Sequence, residues 1–197
     1  LLFLNIDRAD EGYRYFSSAY PGTANPVKPN PTTAGGLEAV WSRAWLAAAS
    51  KRGGEVIPLV ERGVLEDPAR LQDLFFIASN SSETELANAA ANRLYALRPG
   101  SETRTWLAQS LIAEGRPGEA LEHLRDLLRE GAEVARLYEQ ALERVGGGSE
   151  LIELLRRRAA NDSLPVEQRR ETAHRLLRAG ERILAQEILT ELAAEAP

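Results

Sequence analysis

Between Leu107 and Leu128 the chain reads LAQSLIAEGRPGEALEHLRDLL, and its apolar residues return every three or four positions. Leu107, Ala108 and Leu111 form one stripe; Leu121, Leu124, Leu127 and Leu128 form a second. Stripes at i, i+3, i+4 and i+7 predict amphipathic helices, here two of them. Gly115 stands between them, where a left-handed residue closes a helix, and Pro117 sits where a first-turn residue gives up no hydrogen bond. Joined by so short a turn, the two helices are expected to pack antiparallel.

The same pattern returns around Gly180. Ala173, Leu176 and Leu177 precede it; Ala185, Ile188, Leu189 and Leu192 follow, and Pro197 closes the stretch. A weaker copy runs through Tyr138, Leu142, Gly146, Leu151 and Leu155. Upstream, Asp67 predicts an N-cap for a helix that begins at Pro68 and carries Leu71, Leu74 and Phe75. Its partner holds Ala87, Ala91, Leu94 and Tyr95 before Pro99. Earlier still, residues 37–52 predict a helix with Trp41 and Trp45, broken by Gly53-Gly54. A shorter helix is expected over 55–65, with Pro58 tolerated in its first turn. The period is roughly 31–34 residues throughout, within the range of helical repeats.

A helix–turn–helix unit of this length, with small residues at two fixed places, resembles the tetratricopeptide repeat. In that family small residues at the eighth and twentieth positions let the paired helices approach closely, and Ala108 with Ala120 and Ala173 with Ala185 match them. Pro99 and Pro197 match the closing proline, whereas Arg104 and Arg169 stand where a Trp is usual and Leu127 replaces a usual Ala. The resemblance covers residues 37–197. It implies an all-α fold: a right-handed superhelix, or α-solenoid, of about five helix–turn–helix repeats, plus a truncated N-terminal one. Ala9, Tyr13, Phe16 and Pro21 fit the second helix of such a repeat, so 1–20 is expected to be the remnant of an upstream copy. The stretch 21–36, PGTANPVKPNPTTAGG, is too rich in proline and glycine for helix and reads as a Pro-rich linker or insertion.

Hydrophobic residues at 44% and charged residues at 27% suit a folded chain. A net charge of −5 argues against nucleic acid or an anionic membrane as partner. With no cysteine, disulfides, thiolate zinc sites and thiol nucleophiles are excluded. Arginines outnumber Lys28 and Lys51 by 22 to two, which reads as a GC-rich genome. The chain starts at Leu1 and holds no Met, so it is expected to be a piece of something longer. No apolar run approaches the roughly 20 residues of a membrane helix, and LLFLNI is too short for a signal peptide, so a soluble piece without direct membrane insertion is expected.

Catalytic chemistry finds no foothold. His123 and His174 are the only histidines and lie on different repeats, with no HExxH spacing. The GGGS at 146–149 lacks the lysine and preceding strand of a phosphate loop. A non-enzyme without cofactor or metal is expected.

The resemblance implies instead a concave groove lined by the first helix of each repeat. Carried over, its partner-binding positions are Gln72, Phe76, Ser79 and Asn80; Thr105, Gln109 and Ile112; Arg136, Gln140 and Arg144; and Arg170, His174 and Arg178. The groove would grade from neutral to basic, and the Lys–Asn clamp for a terminal carboxylate is absent, since Gln72 with Phe76 and Thr105 with Gln109 occupy its places. Arg170, His174 and Arg178 share a face at i, i+4, i+8, suited to a carboxylate-bearing partner loop. Arg156-Arg157-Arg158 spans three sides of a helix and reads as a solvated face. A weaker resemblance to the periplasmic repeat region of bacterial exopolysaccharide exporters implies a scaffold recruiting a polymer-modifying enzyme; the alternative is a cytoplasmic adaptor binding partner peptides. Direct polysaccharide binding ranks lower, because the few aromatics fall mostly at core-facing positions.

Overall fold

The computed structural model describes residue 14 and residues 34–161 and 164–195. The remnant expected at 1–20 and the linker up to residue 33 therefore lie outside the described residues, Arg14 apart. Among those described there is no strand, and ten α-helices follow one another: α1 Ala34–Ala49, α2 Ile57–Glu61, α3 Pro68–Asn80, α4 Thr84–Leu97, α5 Ser101–Ala113, α6 Pro117–Leu124, α7 Ala132–Val145, α8 Gly148–Ala159, α9 Val166–Arg178 and α10 Arg182–Glu195. Short 3₁₀ turns at Gly53–Glu55 and Arg125–Leu127 precede α2 and extend α6.

Two boundaries differ from expectation. Helix α1 opens at Ala34, ahead of Leu37, so the first turn takes in Gly35 and Gly36 from the stretch expected to be non-helical. A first turn carries few intrahelical bonds, which lessens the handicap of glycine there. The same helix ends at Ala49, ahead of the glycines, and α2 covers only Ile57–Glu61 of the expected 55–65. Asp67 caps α3 as its sequence predicts, its side chain accepting from the Arg70 N–H at 3.0 Å.

The odd-numbered helices all end alike. In each, a left-handed residue donates its N–H three residues back, and the next N–H reaches five residues back, the bonding of a Schellman closure. Gly115 donates to Ile112 and Arg116 to Leu111; Gly180 donates to Leu177 and Glu181 to Leu176. Gly146 with Gly147 repeats it at the end of α7. The remaining two use no glycine: Lys51 (φ 58°) closes α1 and Ser82 (φ 62°) closes α3. From Lys51 through Ser82, Gly115 and Gly146 to Gly180, the closures recur once per helix pair, at the interval expected of a helical repeat.

The chain divides into two compact units, Leu1–Leu127 and Leu128–Pro197. In the first, α1 packs on α3, α2 on α4, and α3 through α6 pack each on the next. Its core holds Trp41, Leu71, Leu74, Phe75, Leu86, Leu94, Leu111 and Leu124, all at most 3% exposed. In the second, α7 packs on α8, α8 on α9 and α9 on α10, around Tyr138, Leu155, Leu176 and Leu192. Ala108 and Ala120 on α5 and α6, and Ala173 and Ala185 on α9 and α10, are each 0% exposed. A methyl group at these places leaves room for close helix approach, and a larger side chain would have to push the pair apart.

Candidate functional site

In the first unit, Gln72, Phe76 and Asn80 stand one turn apart along α3. Gln72 is half-buried, Asn80 and Ser79 are exposed, and Phe76 is 42% exposed, unusual for a ring of that size. Its position is explained by its neighbours. Trp106 of α5 lies near-parallel to the buried Phe75 ring at 5.8 Å and edge-on to Phe76 at 5.4 Å. These separations suit aromatic pairs, so the trio sets α5 against α3 while one ring stays at the surface. On α5, Gln109 is exposed, whereas Thr105 turns its hydroxyl inward along its own helix, donating to the Ser101 carbonyl at 2.8 Å. Ile112 does not belong to this surface. It is 2% exposed and joins Ala108 and Leu111 on the buried side, where its apolar side chain gains from leaving water.

In the second unit, Arg136, Arg144, Arg170, His174 and Arg178 are exposed on α7 and α9, with Gln140 half-buried. Two of the expected cations are already engaged within their own first turns. Arg136 forks onto Glu133 at 2.7 and 3.0 Å, and Arg170 bonds Glu167 at 2.9 and 3.2 Å. The hydrogen bond to Glu133 holds the Arg136 guanidinium above its ordinary pKa. A partner carboxylate would therefore compete with a local one at both positions.

Beneath that face lies a feature that local pattern does not reveal. Glu139 of α7 is 3% exposed, and both neighbouring helices reach it: Arg158 of α8 at 3.0 Å and Arg175 of α9. Arg175 also donates to Glu143 at 2.8 Å. Burial pulls the Arg175 pKa down, yet the hydrogen bonds to Glu139 and Glu143 outweigh it and leave it raised. The arginine run thus separates onto three partners, Arg156 onto Glu181, Arg157 onto Glu153 and Arg158 onto Glu139.

In the first unit the buried polar contact between helices is a carboxamide and a hydroxyl, with ion pairs only beyond it. Asn88 of α4, 7% exposed, donates from Nδ2 to Glu114 at 2.6 Å and accepts from the Ser110 hydroxyl of α5 at 3.3 Å. Arg116 completes the seam, donating to Glu114 at 2.9 Å and to Glu119 at 2.7 Å.

The two histidines lie on different helices, His123 on α6 and His174 on α9. His174 is exposed, and His123 is half-buried edge-on to Tyr95, ring centroids 6.0 Å apart. Burial, then the charge of Arg104, push the His123 pKa below its ordinary value. Among the described residues no group of three or more His, Asp or Glu side chains converges as metal ligands, and no helix is long and apolar enough to cross a membrane.

Trp106 shapes the α3–α5 surface and is absent from the positions expected to form it. The signal for it is the aromatic spacing across α3 and α5, visible only once both helices are known to pack side by side through α4. Comparison of the chain with protein-family models, with curated proteins and with solved structures gave no match to any of them.

Proposed function

We propose that the chain is a non-catalytic, tetratricopeptide-like scaffold whose first helices present a protein-binding surface. The observation that carries this reading is the fivefold recurrence of one helix closure, at Lys51, Ser82, Gly115, Gly146 and Gly180. Recurrence at so regular an interval matches a unit that buries its apolar stripe only by stacking on the next, the basis of an α-solenoid. In this reading the helices pair into about five repeats that continue as a right-handed superhelix. The partner protein meets Gln72, Phe76, Asn80 and Gln109 on α3 and α5, and Arg144, His174 and Arg178 on α7 and α9. The exposed Phe76, framed by carboxamides, supplies the apolar anchor that peptide recognition on a preformed surface needs. For its setting we favour the periplasmic part of an exopolysaccharide secretion apparatus, with a polymer-modifying enzyme as the recruited partner, on the cysteine-free composition.

Two measurements test this. Small-angle scattering of the chain should give a radius of gyration well above the ~16 Å expected of a compact globule of this length; a value at or below it removes the superhelix. Affinity capture with the chain and with its Phe76→Asp variant should lose partner proteins selectively in the variant. An identical set of captured proteins would remove the α3–α5 surface.

A further inference from the structure

A second surface lies away from the helices just invoked. A cleft of about 540 Å³ opens between α2 and the α5–α6 turn, with the outer stripe of α4 as its floor. That volume falls in the range of ligand pockets. We propose that this cleft receives an arginine or lysine side chain of a partner polypeptide. The site goes beyond the scaffold reading above and shares none of its residues.

Charge gives the sign of the ligand. Glu61 on α2 and Glu85 on α4 both line the cleft, and neither carboxylate has an ion pair or a hydrogen-bond partner among the described residues. The cations at the same walls are already matched: Arg93 is paired with Glu66, and Arg116 with Glu114 and Glu119. The uncompensated charge is therefore negative, in a concave space that concentrates its field.

Shape gives the rest. Ile57 on one wall and Ala89 on the floor, both half-buried, offer an apolar track for a methylene stem, while the carboxylates wait for its charged head. Asn92 is exposed in the cleft without a partner among the described residues, and a carboxamide both donates and accepts, as a peptide group does. That pairing favours a polypeptide over a free polyamine, which brings no acceptor. Asn88, fixed by Glu114 and Ser110, keeps the inner wall in place.

The test uses the isotope-labelled 197-residue chain and the peptide Ac-Gly-Ala-Arg-Ala-Gly-NH2, followed by NMR. Shifts should concentrate on the side-chain amides of Asn88 and Asn92 and on the backbone of Arg116. Replacing both carboxylates, Glu61→Gln with Glu85→Gln, should weaken binding roughly tenfold. Ala89→Phe should block binding with all charges kept. Circular dichroism confirms that each variant folds, as expected for surface changes. Three results would overturn the proposal: no perturbation of Asn88 and Asn92, equal binding of the Arg→Gln peptide, or spermidine binding as tightly as the peptide.

Discussion

The two units bury different polar groups between neighbouring helices. Up to Leu127 the buried pair is uncharged: Asn88 and Ser110 meet across α4 and α5, beside a core of leucines and stacked aromatic rings, and ion pairs such as Arg70–Glu38 and Arg116–Glu114 stay more exposed. Beyond Leu128 the tie is ionic: Glu139 is held from both sides by Arg158 and Arg175. The difference tracks the supply of apolar surface. Helix α8 carries three consecutive arginines in its last turn and α9 carries four, and α9 buries Arg169 and Thr172 beside Ala173 and Leu176. Where fewer apolar side chains face the neighbour, a desolvated ion pair takes their place. Such a pair is costly to form and costly to break, so it adds specificity of packing more surely than stability.

Breaking each tie should expose the contrast. Glu139→Ala leaves two arginines without their shared counter-ion and should destabilise the second unit by about 3–5 kcal/mol. Hydrogen exchange should locate that loss in α7 to α9; unchanged protection there would mean the network is incidental. Asn88→Ala deletes a neutral group and should cost about 1–3 kcal/mol, read from denaturant midpoints. A cost matching that of Glu139→Ala would erase the distinction between the units.

Two smaller effects sharpen it. Ser82→Gly relieves a left-handed backbone at a residue with a side chain and should stabilise the first unit by about 0.5–1 kcal/mol. Gly115→Ala, at the equivalent closure, should do the reverse. The smallest effect concerns pH. His123 titrates below its unfolded value, so the unfolded chain binds the extra proton first as pH falls. Stability should decline below about pH 6.5, the ordinary histidine value, and level off once the folded pKa is passed. The paired Glu119 and Glu133 have lowered values and add their losses only in the carboxylate range, further down. His123→Gln should flatten the first decline alone, as followed by thermal melts across pH.

Legibility in the sequence follows the same divide between apolar pattern and charge. Leu107, Ala108, Ala120 and Leu124 announce α5 and α6 because a stripe of period 3.6 has one natural use, and Gly115 and Gly180 announce their closures because glycine is the usual left-handed residue. Lys51 and Ser82 close α1 and α3 in the same way and give no sign, since their side chains do not favour that backbone. Glu139 is unreadable for another reason. A carboxylate on an apolar stripe makes sense only beside Arg158 and Arg175, which lie 19 and 36 residues away. Of the expected binding residues, Phe76 and Gln109 are displayed and Ile112 is not, because a helix-face count cannot tell which flank a neighbour will cover.

The recurring closure also says where the chain can change length. Its two backbone bonds link residues at fixed offsets, so inserting or deleting even one position there unmakes it. Yet the step from Gly146 to Gly180 is longer than the step from Lys51 to Ser82, and that slack must reside in the second helices and the links that follow them. Tags, permuted termini or spliced-in segments belong in those links, at 98–100 or 128–131 for example, and a cut at Gly115 or Gly180 would sever the part that cannot stretch.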